Sequence, residues 1–228
     1  MNILNSINHI KCTLPPPPIF TPFQFTIAGG TNFTGTANQY PITFNSSTTS
    51  NTYGLITNFT SNTASNKKFT IYVKGKHLNS STYTKMPTLL NFVNTGFTTT
   101  TFMLLGSAGQ NNHNKITYMF RVNNNLLIYI LTGNILANIN DFYHTFMSFN
   151  YDLAVFNLYI YSKTNSLLYQ SGNLSYPTNI FSSLGIFAFS KINGDNTSCS
   201  NVTIANAGWY NYLVSSSEMS SIVSLSPN

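Results

Sequence analysis

The stretch that decides the fold is YHTFMSFNY, residues 143–151. In an extended chain, successive side chains point to opposite faces. One face of this stretch carries Tyr143, Thr145, Met147, Phe149 and Tyr151. The next stretch, LAVFNLYIY at 153–161, is again rich in β-branched and aromatic residues, which pack well on a pleated surface. Both stretches are therefore predicted to be β-strands.

Runs of the same character continue on both sides. They include FQFTI at 23–27, KKFTIYVKG at 67–75, TTTTFMLLG at 98–106 and LGIFAFSKI at 184–192. About twelve such runs are bounded by Asn, Gly or Ser, a spacing typical of a β-sandwich or jelly roll. No sustained 3.6-residue period occurs before roughly the last twenty residues. The sequence predicts an all-β protein, with one antiparallel β-sandwich domain of jelly-roll type at 23–228.

The only glutamate of the chain, Glu218, marks a short helix near the C-terminus. In VSSSEM, the spacing S-x-x-E makes Ser215 the N-cap and Glu218 the third helical residue of a capping box. The apolar stripe that follows consists of Met219, Ile222 and Val223. We therefore expect Glu218 to stabilise the helix by about 1 kcal/mol and to take no part in a reaction.

Residues 1–22 are predicted to form an extended N-terminal arm. Four consecutive prolines, Pro15, Pro16, Pro17 and Pro18, fix its backbone in the polyproline II conformation. Such a segment serves as a stiff spacer or as a strap across a neighbouring subunit, and a disordered tail is the alternative. We expect the arm to contact identical or other structural subunits.

The net charge of +6 reflects a shortage of acids, because 10 basic residues face 4 acidic ones and only 6% of the chain is charged. The single arginine is Arg121, and the lysines are scattered except for Lys67-Lys68 and the pair Lys74 and Lys76. Proteins that read nucleic acids cluster such residues on one face. The basicity is therefore interpreted as incidental, with no nucleic-acid partner, although a weak attraction to acidic glycans or phosphate stays open.

No targeting segment is recognisable. The first residues, MNILNSINHIKC, lack the apolar core of a secretory signal. The longest apolar run, LLIYIL at 126–131, is far shorter than the roughly 18 residues of a membrane span. Two cysteines, Cys12 and Cys199, are too few for a disulfide framework, and whether they pair stays open. We expect a chain without a signal peptide or membrane span that is made inside a cell.

Residues suited to catalysis are scarce. The four acids are Asp141, Asp152, Asp195 and Glu218. No close pair of acids is present in the sequence, whereas glycoside hydrolysis needs two carboxyl groups about 5 Å or 6.5–9.5 Å apart. The four histidines, His9, His77, His113 and His144, are isolated and lack zinc-ligand spacing. The sequence therefore predicts no enzymatic activity, no metal site and no cofactor, with a weak calcium site left open.

Three segments carry a family resemblance. NVTIANAGWYNYLVSSSEMSSIVSL at 201–225 resembles the C-terminal end of concanavalin A-like lectin and laminin G-like domains, where a last strand runs into a short helix. DFYHTFMSFNYDLAVFNLYIY at 141–161 is similar to their central hairpin, with Tyr143-His144 at the Trp-His position, and SLGIFAFSKINGD at 183–195 resembles a later strand. The likeness runs in order over about residues 65–228, with Tyr143 in place of the usual Trp. It implies a concanavalin A-like jelly roll with one short C-terminal helix.

Two features are candidates for glycan binding. The loop KINGDNTSCSN at 191–201 offers Asn193, Asp195 and Asn196, whose short polar groups suit sugar hydroxyls. An ordinary Asx-rich turn is the alternative interpretation. The only tryptophan, Trp209, is a candidate for stacking on a sugar ring, with packing beside the core as the alternative.

The sequence favours a non-enzymatic subunit of a larger assembly. A viral capsid, decoration or fibre protein with a lectin-like fold fits the weakly charged composition, the arm and the missing catalytic set. Such a protein would be located in a virion or on an extracellular particle surface, where it would contact other subunits and host glycans. The alternative is a free carbohydrate-binding module or adhesin. Fold alone does not decide between them.

Overall fold

The computed structural model of the chain describes residues 19–45, 52–60, 68–77, 86–94, 102–107, 115–122, 125–133, 141–175, 185–190, 198–199 and 201–226. Seventeen strands and one helix lie within these ranges. The strands are β1 (Phe20–Pro22), β2 (Phe25–Ala28), β3 (Phe33–Thr34), β4 (Ile42–Asn45), β5 (Tyr53–Ile56), β6 (Lys68–His77), β7 (Met86–Asn94), β8 (Phe102–Ser107), β9 (Ile116–Val122), β10 (Asn125–Leu131), β11 (Tyr143–Asn150), β12 (Val155–Tyr161), β13 (Leu167–Gln170), β14 (Leu174–Ser175), β15 (Gly185–Phe189), β16 (Ser198–Cys199) and β17 (Asn201–Tyr210). The helix is α1 (Ser216–Leu225).

The strands form two sheets. The helix-covered sheet has the order β13-β12-β11-β6-β17-β4-β3, with β1 also paired to β17 and β14 to β12. The opposite sheet has the order β10-β9-β8-β7-β15-β5-β2, and the short β16 pairs with β7. Apart from the parallel β16–β7 pair, the pairings are antiparallel in the described residues. The predicted all-β fold, an antiparallel β-sandwich with one short C-terminal helix, is confirmed.

Aromatic side chains fill the space between the sheets. Phe69 of β6 and Phe149 of β11 are register partners whose rings stack at 4.8 Å. The ring centroid of Phe156 of β12 lies 4.4 Å from that of Tyr118 of the opposite sheet, and these two rings are also stacked. These pairs connect neighbouring strands and both sheets through buried rings. Large buried aromatic surfaces of this kind dominate the hydrophobic stabilisation of a core.

The helix-covered sheet is buried on both faces at its centre. Alternation in β11 places Phe149 toward the main core and Phe146 toward a second cluster, and all eight residues of the strand are buried. This second cluster lies under α1 and consists of Tyr72, Phe146, Tyr161, Tyr210, Val214, Met219 and Val223. The apolar stripe of the helix therefore covers the outer side of the sheet.

The end of the predicted arm belongs to the sandwich. Phe20–Pro22 form β1, which pairs with β17 from Tyr210 to Gly208. A Cβ atom at Gly208 would meet the Thr21 carbonyl oxygen and would approach the Phe20 ring to 2.6 Å. Glycine therefore lets β1 lie close against β17. Pro15, Pro16, Pro17 and Pro18 lie outside the described residues.

No helix in the described part of the chain is long and apolar enough to cross a membrane.

Candidate functional site

Of the four residues that the sequence predicts for glycan binding, the structure describes one, Trp209. Asn193, Asp195 and Asn196 lie outside the described residues, and their role stays a prediction. Trp209 is on β17, is partly buried, and packs against the main core with its ring 5.5 Å from that of Phe59. Its Nε1 atom is buried and has no hydrogen-bond partner in the described part of the chain. Trp209 therefore packs beside the core, which is the alternative to stacking on a sugar that the sequence left open.

Glu218 and Ser215 form a capping box at the start of α1. The Glu218 amide donates to Ser215 Oγ at 3.3 Å, and Glu218 Oε2 accepts from the Ser215 amide at 2.7 Å. The Ser215 hydroxyl, the Ser215 amide and Tyr212 Oη donate to the carboxylate. These bonds, with the Ser215 hydroxyl first, hold the pKa of Glu218 below its usual value. The carboxylate is thus kept ionised as a structural group.

The other described acids form ion pairs. Asp141 accepts from Lys163 Nζ at 2.9 Å, and Asp152 lies 3.3 Å from Lys68 Nζ. Both pairs are partly exposed, and such pairs stabilise a fold only weakly. No group of three His, Cys, Asp or Glu side chains among the described residues is placed to hold a metal ion.

An open cavity of about 450 Å³ lies where α1 ends above the sheet. We call it the Lys74 pocket. Its walls are formed by Pro41, Lys74, Phe142, Ala205, Asn206, Leu225 and Ser226. Four separate parts of the chain meet here: the residue before β4, strand β6, the residue before β11, and the segment from β17 to the end of α1. A register shift in β17 between Ile204 and Asn206 lies at the same place, as is common where a strand borders a site.

A row of polar groups crosses the sheet at the floor of this pocket. Lys74 is paired in register with Asn206 on one side and with His144 on the other, so the three side chains occupy one face. Lys74 is only 5% exposed, and its Nζ donates to the carbonyl of Ser226 at 3.1 Å. Burial lowers the pKa of Lys74. The helix end therefore fixes the position of this ammonium group, and the ammonium group covers a carbonyl at the negative end of the helix dipole.

Phe142 is the aromatic element of the pocket. Its ring centroid lies 5.8 Å from Lys74 Nζ and 5.0 Å from Lys76 Nζ. Both distances are within the range of a cation–π contact. The two lysines lie two positions apart on β6, so they point to the same face of the sheet. An aromatic ring of the pocket wall thus has two cations close to it.

His144 is a packed residue next to the pocket. Its Nδ1 atom lies 2.8 Å from Tyr72 Oη, and the side chain is fully buried. Burial first, and the charge of Lys74 second, lower the pKa of His144 to about 4. The imidazole is therefore neutral near pH 7 and is held as a hydrogen-bonded strand residue, not exposed as a ligand.

A second cavity of about 350 Å³ lies along α1, beside Tyr210, Tyr212, Glu218 and Ile222. Its only charged wall residue, Glu218, is already bound in the capping box. The Lys74 pocket is therefore the stronger candidate site.

The residues of the Lys74 pocket were not predicted as a site from the sequence. Lys74 and Lys76 stand out there only as a pair among otherwise scattered lysines. Their alternation in KGKH, on the face opposite Val73, was a signal that both project from one side of a strand. Nothing in the sequence connects them to Phe142 or Asn206, which lie more than sixty residues away along the chain.

Several solved structures are similar to this chain. A Trypanosoma rangeli sialidase in complex with 2,3-difluorosialic acid matches with a TM-score of 0.59 and 16% identity, over 85% of this chain and 28% of that chain. The botulinum neurotoxin serotype D ligand binding domain in complex with N-acetylneuraminic acid matches with a TM-score of 0.53 and 11% identity, over 88% and 46%. The CBM40 of the Ruminococcus gnavus IT-sialidase matches with a TM-score of 0.50 and 10% identity, over 70% and 84%.

These likenesses define the fold as a lectin-like β-sandwich. The chain spans less than half of the sialidase and toxin chains that it matches. No family model matches the sequence, and no curated protein sequence matches it either.

Proposed function

We propose that this chain is a lectin-like recognition module that binds a glycan and does not cleave it, with the Lys74 pocket as the binding site. One observation carries the proposal: an aromatic ring, an amide and an ammonium group converge in an open cavity on a lectin-like sandwich. A sugar offers hydroxyl groups for hydrogen bonds and a C–H face for an aromatic ring. The volume of about 450 Å³ is within the usual range of small-molecule sites, roughly 300–1,000 Å³.

The residues of the pocket favour binding over catalysis. Its described wall contains no carboxylate, and the carboxylates of Asp141, Asp152 and Glu218 are engaged elsewhere. Hydrolysis of a glycoside needs an acid and a second carboxylate or an equivalent nucleophile. Two structurally similar proteins, a sialidase and a toxin ligand binding domain, are in complex with sialic acids in their solved structures. They support a glycan as the class of ligand.

Binding is tested with the purified full chain on a glycan array, followed by isothermal titration calorimetry with the strongest ligand. Phe142→Ala should weaken binding at least tenfold, because it removes the ring that bounds the pocket. Tyr53→Ala is the matched control, since Tyr53 is a partly buried aromatic residue of the opposite sheet. The proposal fails if no glycan binds, or if Phe142→Ala binds as well as the unchanged chain.

A structural subunit of a virion, decoration or fibre remains our second proposal. It is favoured by the low charge of 6% and by the proline-rich segment, and a glycan-binding pocket is compatible with it. Light scattering should show a defined oligomer for the full chain and a monomer after deletion of residues 1–18. The deletion ends at 18 because β1 is part of the sandwich. A monomeric full chain would favour the free carbohydrate-binding module or adhesin.

A further inference from the structure

We infer that the Lys74 pocket selects an anionic saccharide, whose carboxylate or sulfate group is held between Lys74 and Lys76. The inference rests on the proposed glycan-binding function and adds the charge of the ligand. Three features of the described residues support it: the positions of the two ammonium groups, the partners of the nearby acids, and the apolar walls beside the cations.

The two cations lie together at one ring. Lys74 Nζ and Lys76 Nζ are 5.8 and 5.0 Å from the centroid of Phe142. A ring face attracts each cation but does not neutralise its charge. Lys74 lines the pocket together with Phe142, and Lys76 lies beside it at the same ring, so positive charge lies next to the aromatic wall.

The acids of the described residues do not compensate this charge at Lys76. Asp141 is paired with Lys163, Asp152 with Lys68, and Glu218 with the helix N-cap. No ion pair of Lys76 lies within the described part of the chain, where its ammonium group approaches the Phe142 ring. The described acids therefore do not neutralise the charge of Lys76, and an anionic group of a ligand would do so.

Lys74 gives the site a fixed cation at low exposure. It is 5% exposed, and its bond to Ser226 anchors the ammonium group at the pocket wall. Attraction between opposite charges is stronger where water is partly excluded. The carboxyl end of α1 alone would repel an anion, but the ammonium group of Lys74 is bonded to the Ser226 carbonyl at that end and opposes this repulsion.

The apolar walls decide between a sugar and a small inorganic anion. Pro41 and Leu225 line the same cavity, and Leu225 is 82% exposed although it is a large apolar residue. A phosphate ion has no surface to place against them. A sugar ring that carries an acidic group can contact the apolar wall and the cations together.

The test compares ligands that differ only in charge. The full chain is titrated with lactose, 3′-sialyllactose and 3′-sulfolactose, and a wider array of neutral, sialylated, sulfated and uronate-containing glycans covers other backbones. We expect at least a tenfold lower Kd for an anionic glycan than for its neutral counterpart. The sialylated and sulfated probes distinguish a carboxylate from a sulfate as the anion.

Two lysine variants locate the effect. Lys76→Gln should raise the Kd for the anionic ligand about fivefold and leave the Kd of a neutral ligand unchanged. Lys115→Gln removes the same charge at the start of β9 on the opposite sheet and should change neither value. Lys76 is used because Lys74→Gln also breaks a helix-end contact.

The possible failures are distinct. If neutral glycans bind as tightly as anionic ones and Phe142→Ala weakens both, the charge inference is wrong and the glycan-binding function stands. If Lys115→Gln weakens anionic binding as much as Lys76→Gln does, the attraction is a general charge effect and the inference is also wrong. If no glycan binds, the proposed function fails together with it.

Discussion

Acidification should destabilise the fold through His144, and replacing this residue should remove that part of the pH dependence. His144 is fully buried in the layer between the sheet and α1, where its Nδ1 is bonded to Tyr72 Oη. The groups beside it in register are Lys74 and Tyr161. A protonated imidazole at this position would be desolvated and would face the cation of Lys74, so the folded state favours the neutral form.

The sign and size follow from the two pKa values. In the unfolded chain His144 has its ordinary pKa of 6.5, whereas in the folded chain it is lowered to about 4. Between these values the unfolded state binds more protons, so the free energy of unfolding falls as the pH falls. Each tenfold change in proton affinity is worth about 1.4 kcal/mol, so the full loss is about 3 kcal/mol. The stabilising contribution of neutral His144 is fully present above pH 6.5, is lost as the pH falls, and has been lost completely below about pH 4.

Urea unfolding at pH 7.5, 6.5, 5.5 and 4.5 measures this loss. Trp209 is the only tryptophan and packs against the main core, so its fluorescence reports on the sandwich. His144→Gln keeps a hydrogen-bonding side chain near Tyr72 but does not titrate. Other acids and histidines are common to both proteins, so the difference between the two pH profiles isolates His144. If the variant loses as much stability between pH 7.5 and 4.5 as the unchanged chain, the neutral buried histidine is not the cause.

Three further changes test the structural elements around the site. Glu218→Ala should lower the free energy of unfolding by about 1 kcal/mol in urea titrations at pH 7, because the acceptor for the Ser215 amide is lost from the capping box. Unchanged stability would contradict this role. Gly208→Ala should lower the free energy of unfolding by about 1–3 kcal/mol and speed hydrogen exchange in β1, because the added methyl group clashes with that strand. Gly172→Ala is its control, since nothing lies within 4 Å of the added atom, and equal effects would refute the close approach. Met219→Ala should lower the free energy of unfolding by about 2–5 kcal/mol in thermal or urea unfolding, because this side chain of α1 is fully buried against the sheet. Replacement of the exposed Leu225 by Ala should change it by no more than about 0.5 kcal/mol.

The sequence predicted the fold well because its signals are local. Alternation in YHTFMSFNY identifies a strand without knowledge of its partners, and the structure contains β11 at Tyr143–Asn150. The spacing S-x-x-E likewise marks a helix start within four residues, and α1 begins at Ser216 after the N-cap Ser215. Both signals depend on neighbouring residues only.

Burial of the outer face was harder to predict. The even-numbered residues of β11, which include His144 and Phe146, alternate with the core-facing residues. Their side chains are therefore predicted to lie on the other face of the strand. A single strand does not reveal whether that side meets water or another element. In the structure α1 covers it, and all eight residues of β11 are buried.

The Lys74 pocket was not predictable from local patterns. Lys74 and Asn206 become neighbours because β6 pairs with β17, and Phe142 joins them because β11 pairs with the other edge of β6. These pairings join segments far apart in the chain, and strand register decides which side chains meet. A shift of one residue in β17 would turn Asn206 to the opposite face.

The position of the site follows from the length of the helix. Met219 and Val223 bury the apolar stripe of α1 on the sheet, but the helix ends at Leu225 while the sheet continues beneath it. The end of the helix therefore forms a step, and a cavity lies against it. Lys74 sits at this step and bonds the carbonyl of Ser226. Lys74 belongs both to the contact at the helix end and to the cavity wall, so a ligand that binds the pocket only when α1 is docked would stabilise the docked state. Hydrogen exchange in the last turn of α1 should therefore slow when the pocket is occupied, and an unchanged rate at saturation would show that the helix end and the pocket are independent.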